Sequence, residues 1–400
     1  MTQIEITIKN DNLKIEKEVF VMLIEGSSVS ETREYESILD TKKVSLLNLK
    51  RIARKANVPY PLFFAPLDVV LAQLKYVDDQ ILAKLPSKKE VALSSRGHLV
   101  DNDLKLILRD LSRKQEFLKT RIHSNNRKDN PFVGLLTNSK VDMRSQAKII
   151  LDSFDIQRNS IQRRNKTETI KYIVKKVEAK GIYISFSSYN YMPKNIPTKA
   201  GFSGFCLKDK RYPFIFINRR DRDEKPLKWE TEGRQILTLI LMLICISKNR
   251  YVISADSPKN ADKRYLEIYA LAEELLMPKA ECEKIKISTL SEAKDFAIIC
   301  SVTPSAVIMR FKKLGLITTN LEKNLWKQLK EERKKIKKQK GRGPGTVKGL
   351  SKYNGDRFSI EILTSYTNRI ISFNDAKNAL FTNRKFPANT FNNYAGYYGF

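Results

Sequence analysis

The chain has 400 residues, which is enough for two or three domains with a sizeable core, and its hydrophobic fraction of 42% is ordinary. Its 74 lysines and arginines outnumber its 44 aspartates and glutamates, so the formal charge is +30. The four cysteines include no CxxC pair, which argues against a zinc ribbon or a disulfide framework and fits a reducing cytosol.

The positive charge has two interpretations. An excess of this size attracts polyanions and favours salt-dependent binding to phosphate backbones, so DNA, or alternatively RNA, is a candidate partner. A lysine-rich chain also arises from AT-rich codons, in which case the charge has no function. The N-terminus, MTQIEITIKNDNLKIEKE, lacks the apolar region of a secretion signal, and no stretch is long enough to span a bilayer. We therefore expect a cytoplasmic protein without a membrane partner.

Residues 1–66 are predicted to form a small helical module. Within YESILDTKKVSLLNLKRIARKANVPYPLFFAP (35–66), seven apolar residues follow helical spacing or close a small core: Leu46, Leu49, Ile52, Ala53, Val58, Phe63 and Phe64. The segment resembles the closing half of XRE-type helix-turn-helix domains, which implies a recognition helix around residues 27–35. A helical scaffold that does not bind base pairs is the alternative.

Residues 67–130 are predicted to be a helical connector with amphipathic helices at 69–85 and 101–122. The second helix places five apolar residues on one face: Leu104, Ile107, Leu108, Leu111 and Phe117. Such a face packs on the same chain or on a partner, and both interpretations are open. The only two histidines, His98 and His123, are expected at the surface rather than as metal ligands.

The middle of the chain predicts an α+β domain that is mainly helical. After a helix at 168–180, GIYISF (181–186) and PFIFIN (213–218) suit strands that pair in a small antiparallel sheet. The stretch GRQILTLILMLICI (233–246) is too short to cross a bilayer, and its run of apolar residues predicts a helix in the middle of the domain. YLEIYALAEELLMP (265–278) predicts a second helix beside it.

In this order the motifs, with GFSGF (201–205) between the strands, resemble the frame of the ImmA/IrrE family of zinc metallopeptidases. That family has a GF turn, a helix with R-x-x-F-T-L-A-H-E-L-G-H and a second helix that ends in L-L-M-P. Eight residues hold the matching helix positions: Arg234, Leu237, Thr238, Leu239, Leu275, Leu276, Met277 and Pro278. The resemblance implies a zincin-like domain over residues 131–320, with a small antiparallel sheet and flanking helical modules. In this family a groove between sheet and helix holds the substrate segment, and such a groove can bind a peptide by strand addition.

The resemblance places the family's metal ligands on residues that lack the required chemistry. The two histidines fall on Leu241 and Cys245, the glutamate between them on Met242, and the downstream acidic ligand on Tyr265. In an active site, two imidazoles one helical turn apart and a third ligand hold the zinc, and the glutamate takes a proton from the bound water. Leucine and methionine do neither, so we expect no metal, no cofactor and no peptidase activity. Cys245 is interpreted as a small buried apolar residue.

A helix-turn-helix pattern follows in SEAKDFAIICSVTPSAVIMRFKKLGLI (291–317). Pro304 suits the first position of its second helix. Arg310, Lys312 and Lys313 lie on that helix and are candidate nucleic-acid-binding residues. The alternative is a purely structural element, because this segment belongs to the peptidase fold in active relatives.

Residues 321–350 are predicted to form a basic helix and a linker. The dense cationic run in KNLWKQLKEERKKIKKQKGR (323–342) is a candidate for phosphate contact: Lys334, Lys335, Lys337, Lys338, Lys340 and Arg342. A solvated helix is the alternative. Residues 351–400 resemble the family's C-terminal helical appendage. Its aromatic tail, NTFNNYAGYYGF, is expected to pack against the body, and stacking on bases is the alternative.

Active members with this architecture look like prophage, mobile-element or toxin–antitoxin regulators that cut a partner such as a repressor. The leading hypothesis is a catalytically degenerate member, a regulatory or antitoxin-like protein that holds a partner protein, either a repressor or a toxin, and DNA. The second is a nucleic-acid-binding effector in phage defence, in which the basic helix and the tail grip RNA or DNA. The third is an active zinc metallopeptidase whose ligands lie elsewhere.

Overall fold

The computed structural model describes residues 3–8, 11–25, 27, 29–30, 32–56, 58–82, 102–123, 128–193, 196, 202–219, 228–250, 253–255, 263–335, 345–381, 386–387 and 389–400. This described part of the chain is mainly helical and contains two small sheets, each with parallel and antiparallel pairs. No helix in it combines the length and the hydropathy needed to cross a bilayer.

The N-terminal module contains a sheet. Strands β1 (Gln3–Ile8) and β2 (Asp11–Glu16) form an antiparallel hairpin, and β3 (Lys43–Ser45) pairs in parallel with β1. Ile4 and Ile6 are buried while their neighbours are more exposed, an alternation of period two that suits a strand with one buried face. The module predicted to be helical therefore also contains a three-stranded sheet that the prediction missed.

Helices complete this module: α1 (Lys17–Glu25), α2 (Arg33–Thr41), α3 (Leu46–Ala56), a 3-10 turn (Tyr60–Phe64) and α4 (Leu67–Leu82). The recognition helix expected around residues 27–35 is wrong, because the described residues between 27 and 32 form turns. Thr32 is the N-cap of α2, and its side chain accepts the backbone N–H of Tyr35. Helix α2 thus begins near the end of the segment in which the recognition helix was expected.

The small core predicted for this module is confirmed in part. Four of the predicted residues are buried: Leu49, Ile52, Ala53 and Phe63. Val58 packs against them. Phe64 is 40% exposed, because the 3-10 turn directs only the first of two adjacent phenylalanines inward, so its predicted core position is wrong.

Four helices follow: α5 (Asn102–Phe117), which continues as a π-helical turn (Leu118–Ile122), α6 (Met143–Ser153), α7 (Arg158–Gln162) and α8 (Lys166–Ala179). The helix predicted at 101–122 is confirmed, and Ile107, Leu108 and Leu111 are buried on its inner face. His123, just after this helix, is partly buried and pairs with Glu361 near the C-terminus. His98 and the side chain of Leu104 lie outside the described residues.

The second sheet has the strand order β4-β6-β5-β7: β4 (Tyr183–Phe186), β5 (Phe202–Leu207), β6 (Phe214–Ile217) and β7 (Ile253–Ala255). The antiparallel pairing predicted for β4 and β6 is wrong, because they run in parallel. The segment expected to be a turn, GFSGF, lies mostly in β5, which runs antiparallel to β6. The chain reverses on entering and on leaving β5, so β4 and β6 point the same way. Gly204 suits this packing, since a Cβ atom there would lie 2.6 Å from the carbonyl oxygen of Phe216.

The remaining helices are α9 (Lys228–Ser247), α10 (Lys263–Leu276), α11 (Lys279–Cys282), α12 (Leu290–Ile299), α13 (Pro304–Lys313), α14 (Thr319–Lys335), α15 (Thr346–Asn354), α16 (Asp356–Thr367), α17 (Phe373–Leu380) and α18 (Thr390–Tyr397). Helix α9 is the predicted apolar helix. Its residues 236–246 are buried throughout, which confirms the prediction that it lies in the middle of a domain.

Strand side chains of the second sheet alternate between two cores. Ile215 and Ile217 face the first core, which is built mainly by α6, α8, α9, α10, α12 and α13. Phe214 and Phe216 face the second core, which is built mainly by α5 and α15–α18. The sheet is therefore the middle of three layers, and the C-terminal helices cover one of its faces. Tyr394 is fully buried there, so the expected packing of the tail is confirmed for this residue.

Candidate nucleic-acid interface

The positions that match the family's metal ligands lie on α9 and α10. Leu241, Met242 and Cys245 are at most 2% exposed and belong to the first core. Tyr265 lies in α10, but its side chain is outside the described residues. Among the described residues, no group of three or more His, Cys, Asp and Glu side chains is placed to hold a metal ion. The four cysteines are buried and none forms a disulfide, and burial raises the pKa of the Cys300 thiol to about 12.

Helix α13, the second helix of the predicted helix-turn-helix, has almost no exposed surface. Thr303 caps it by accepting the backbone N–H of Ala306 at 3.1 Å, and Pro304 occupies its first position as predicted. Every residue from Pro304 to Lys312 is buried or partly buried. A recognition helix presents an exposed face to the major groove, so α13 lacks the face that base recognition requires.

Arg310 uses its charge inside the protein. It is 6% exposed, its guanidinium pairs with Glu274, and Nη1 lies 3.9 Å from Glu273 Oε2. Its Nε also donates to the carbonyl oxygen of Met277 at 3.2 Å. Burial raises the pKa of the Glu273 carboxyl, and Lys313 and Arg310 oppose that shift. Arg310 therefore joins α13 to α10, and its buried guanidinium is not available to a nucleic acid.

Lys312 and Lys313 also have partners. Lys313 Nζ lies 2.8 Å from Glu273 Oε1 and 4.7 Å from the centroid of the Tyr269 ring. Lys312 Nζ donates to Thr319 Oγ1 at 2.6 Å. A phosphate would have to compete with these contacts, so both lysines are weaker candidates than a free surface cation.

Helix α14 packs one face on the first core. Leu325 and Leu329, one turn apart, are fully buried, and Trp326 packs against the same core. Lys294 of α12 donates to Glu332 of α14 at 2.6 Å. The alternative interpretation of this segment as a solvated helix is therefore wrong for the inner face of α14, because α12 and α13 both pack against it.

The outer face of α14 bears four exposed lysines, which we call the lysine stripe: Lys323, Lys327, Lys330 and Lys334. Their spacing of four, three and four residues puts them on one side of an α-helix. Within the described part of the chain, none of the four has a hydrogen bond or an ion pair. Glu331 is an exposed carboxylate beside the stripe. These ammonium groups are thus available to an external anion.

The lysine stripe only partly coincides with the predicted basic residues. Lys334 and Lys335 are exposed at the end of α14. Four other predicted residues lie outside the described residues: Lys337, Lys338, Lys340 and Arg342. The prediction missed Lys323, Lys327 and Lys330, because it followed the density of charge along the chain. Their helical spacing was the signal that could have revealed them.

Helix α3 is a second basic surface, but three of its four cations have partners. Arg51 and Lys55 both pair with Glu34 of α2. Lys50 lies 4.8 Å from the ring centroid of Tyr60. The positive charge of α3 is thus partly neutralised within the N-terminal module, which makes α3 a weaker anion-binding surface than α14.

Lys114 on α5 lies in a buried polar network. Its Nζ donates to Asn354 Oδ1 at 2.9 Å and lies 3.6 Å from Asp110 Oδ2. The same atom lies 4.1 Å from the centroid of the Tyr353 ring, whose hydroxyl donates to Asp110 at 2.7 Å. Burial lowers the pKa of Lys114 to about 8, and Asp110 opposes that shift. Because all of these groups are buried, we assign the network a structural role that joins α5 to α15.

Comparisons with known proteins identify no relative, since no family model, curated protein or solved structure matches this chain. The resemblance to ImmA/IrrE peptidases thus rests on the motifs themselves.

Proposed function

We propose that this chain is a regulatory, antitoxin-like protein of a prophage, mobile element or defence locus. In this proposal it is a degenerate ImmA/IrrE member that acts by binding a partner protein, either a repressor or a toxin, and DNA. The observation that carries the DNA-binding part is the lysine stripe on α14, a row of exposed cations that have no partner among the described residues. The partner-protein part rests on the resemblance alone.

The peptidase frame serves as a scaffold in this proposal. Leu241 and Met242 offer neither an imidazole nor a carboxylate, and both side chains are packed in the first core. Cys245, the third matched position on this helix, has a thiol, but its side chain is fully buried. A zinc site needs at least three protein ligands around an open position, which supports binding rather than hydrolysis as the function. The four buried cysteines, none of which is in a disulfide, support a reducing compartment such as the cytoplasm.

The binding proposal is tested with the purified full chain and the product of the neighbouring reading frame. We expect less than stoichiometric zinc by elemental analysis, an intact partner after incubation, and a complex of the two proteins on a sizing column. One zinc per chain together with cleavage of the partner would contradict the proposal.

The lysine stripe is also consistent with a second candidate function. The lysine stripe would also suit a phage-defence effector that binds nucleic acid without a protein partner. Binding to nucleic acid with a steep salt dependence, but no complex with the neighbouring gene product, would favour the effector.

A further inference from the structure

We infer that the lysine stripe binds the phosphate backbone of double-stranded nucleic acid and takes no part in base recognition. This inference rests on the proposed nucleic-acid binding and narrows it to a substrate class. The shared chemistry is the regular double row of phosphates that duplex DNA and duplex RNA both present.

The geometry of α14 supports a backbone contact. An α-helix rises 1.5 Å per residue, so successive lysines of the stripe are about 6, 4.5 and 6 Å apart along the axis, and the row is about 16 Å long. Phosphates on one strand of B-DNA follow each other about every 3.4 Å along the axis, so the row spans about five base pairs. Packing of Leu325 and Leu329 on the first core holds the row rigid, which suits a rigid duplex.

The side chains of the stripe argue against base recognition. Bases in the major groove are distinguished mostly by forked groups such as those of arginine, asparagine and glutamine, and lysine adds only contacts to guanine. All four stripe residues are lysines, which act as point charges. The amide of Asn324 beside them accepts a hydrogen bond from Gln328 at 3.3 Å. Since α13 has almost no exposed face, it offers no neighbouring recognition helix.

The aromatic residue of α14 argues against single strands. Proteins that bind single strands without sequence preference stack the bases on aromatic side chains. Trp326 packs against the first core, and no other aromatic residue belongs to the described α14. The stripe therefore offers charge without a stacking platform, which a duplex, with its bases already stacked, does not need.

The inference is tested by fluorescence anisotropy with the full chain, over about 50 to 200 mM KCl. The probes are two unrelated DNA duplexes and one RNA duplex, each of about 20 base pairs, and an oligo-dT of the same length. For the DNA duplexes, four phosphate contacts predict a slope of log K against log salt of about −3.6. We expect the two DNA sequences to bind within about twofold of each other and the single strand to bind more weakly. Either duplex supports the inference, and the ratio of their affinities identifies the source of the backbone.

A fourfold alanine variant tests the stripe itself: Lys323→Ala, Lys327→Ala, Lys330→Ala and Lys334→Ala. We expect it to lose duplex affinity on the order of 10²- to 10³-fold and most of the salt slope. The matched control removes four exposed lysines from other surfaces and should keep most of the affinity: Lys14→Ala, Lys171→Ala, Lys175→Ala and Lys348→Ala. Replacing the stripe by four arginines should retain binding, because the charge stays.

The outcomes separate this inference from the proposed function. No binding of any probe at low salt contradicts both. Tighter binding of oligo-dT than of either duplex, or a difference above about tenfold between the two DNA sequences, overturns the inference and leaves nucleic-acid binding in place. Duplex binding that survives the fourfold alanine variant also overturns the inference, whether or not the control variant binds.

Discussion

Helices α13 and α14 pack against each other and both carry basic residues, yet they use their charge in opposite ways. Arg310 of α13 is buried and paired with Glu274. The lysine stripe of α14 is exposed and has no partner among the described residues. The helix with the helix-turn-helix pattern thus holds the fold together, and its neighbour offers the free charge. Pairing, more than the number of basic residues, decides which helix is available to a ligand.

The physical reason for this difference is the cost of burying a charge. A guanidinium taken out of water needs an anion and hydrogen-bond acceptors at close range, and Arg310 obtains them from α10. An exposed ammonium needs no such partner, because water solvates it. Mutation of the two kinds of residue should therefore give opposite patterns of stability and binding.

The largest expected effect is on stability, at Arg310. Arg310→Ala leaves the buried carboxylate of Glu273 and the partly buried carboxylate of Glu274 without their shared cation, so we expect the free energy of unfolding to fall by about 3 to 5 kcal/mol. Urea denaturation measures the change. The control is Lys312→Ala on the same helix, which should change stability by no more than about 1 kcal/mol. An unchanged midpoint for Arg310→Ala would mean that the pairing contributes nothing.

The cost of burying a charge also applies to the carboxyl of Glu178, where it makes the stability of the fold depend on pH. Burial, reinforced by Asp356, raises the pKa of Glu178 on α8 from 4.5 to about 8, and its Oε1 has no hydrogen-bond partner among the described residues. The folded state keeps this proton up to about pH 8, whereas the unfolded state releases it near 4.5, so stability is lost as pH rises through this window.

Glu178→Gln should remove this loss, because the amide does not ionise. We expect the variant to gain about 2 to 4 kcal/mol relative to the wild type between pH 5 and pH 8 in urea denaturation. Glu116→Gln, an exposed position on α5, is the control and should not change the pH dependence. Parallel pH curves for Glu178→Gln and the wild type would show that the carboxyl ionises normally.

A smaller effect is expected at a single stripe position, and it concerns binding. Lys330→Ala should reduce the salt slope for duplex DNA by about 0.9 and the affinity about fivefold, because one phosphate contact is lost. The free energy of unfolding should change by less than about 0.5 kcal/mol, since the residue is exposed. If Lys330→Ala instead lost much stability and kept the salt slope of the wild type, α14 would serve the fold and not the binding of nucleic acid.

The smallest expected effect is at Glu331. Its exposed carboxylate lies on α14 four residues from Lys327 and three from Lys334, where it repels a phosphate. Glu331→Gln should raise duplex affinity about twofold at low salt, and this gain should vanish near 1 M salt, where charges are screened within about 3 Å. If Glu331→Gln bound duplex DNA more weakly than the wild type, the carboxylate would not repel a phosphate, and the phosphates would not lie beside the lysine stripe.

The elements with a strong local signal could be predicted from the sequence. The apolar run of α9 predicts a buried helix by itself, and the periodic pattern of α5 predicts an amphipathic one. The parallel pairing of β4 and β6 could not be predicted in this way. It arises because β5, which lies between these two strands in the sequence, is itself a strand of the sheet and runs antiparallel to β6. The N-terminal hairpin was missed although Ile4 and Ile6 alternate with polar residues, a period-two signal that is present in the sequence.

The candidate site was predictable only as a region. Sequence reasoning found the basic segment but assigned its cations by density along the chain. The pairing of Arg310 with Glu274 joins residues that lie on different helices, so no local pattern indicates that this cation is unavailable. The helical spacing of the lysine stripe was visible in the sequence. Its lack of partners became visible only once the surrounding helices were in place.

Lysine footprinting tests most directly whether α14 carries the functional charge. The full chain is acetylated with an amine-reactive reagent, with and without duplex DNA, and the modified lysines are quantified by mass spectrometry. We predict that DNA protects Lys323, Lys327, Lys330 and Lys334 and leaves Lys171 and Lys175 on α8 equally reactive. Protection of Lys50 and Lys55 on α3, with the stripe fully reactive, would contradict the account.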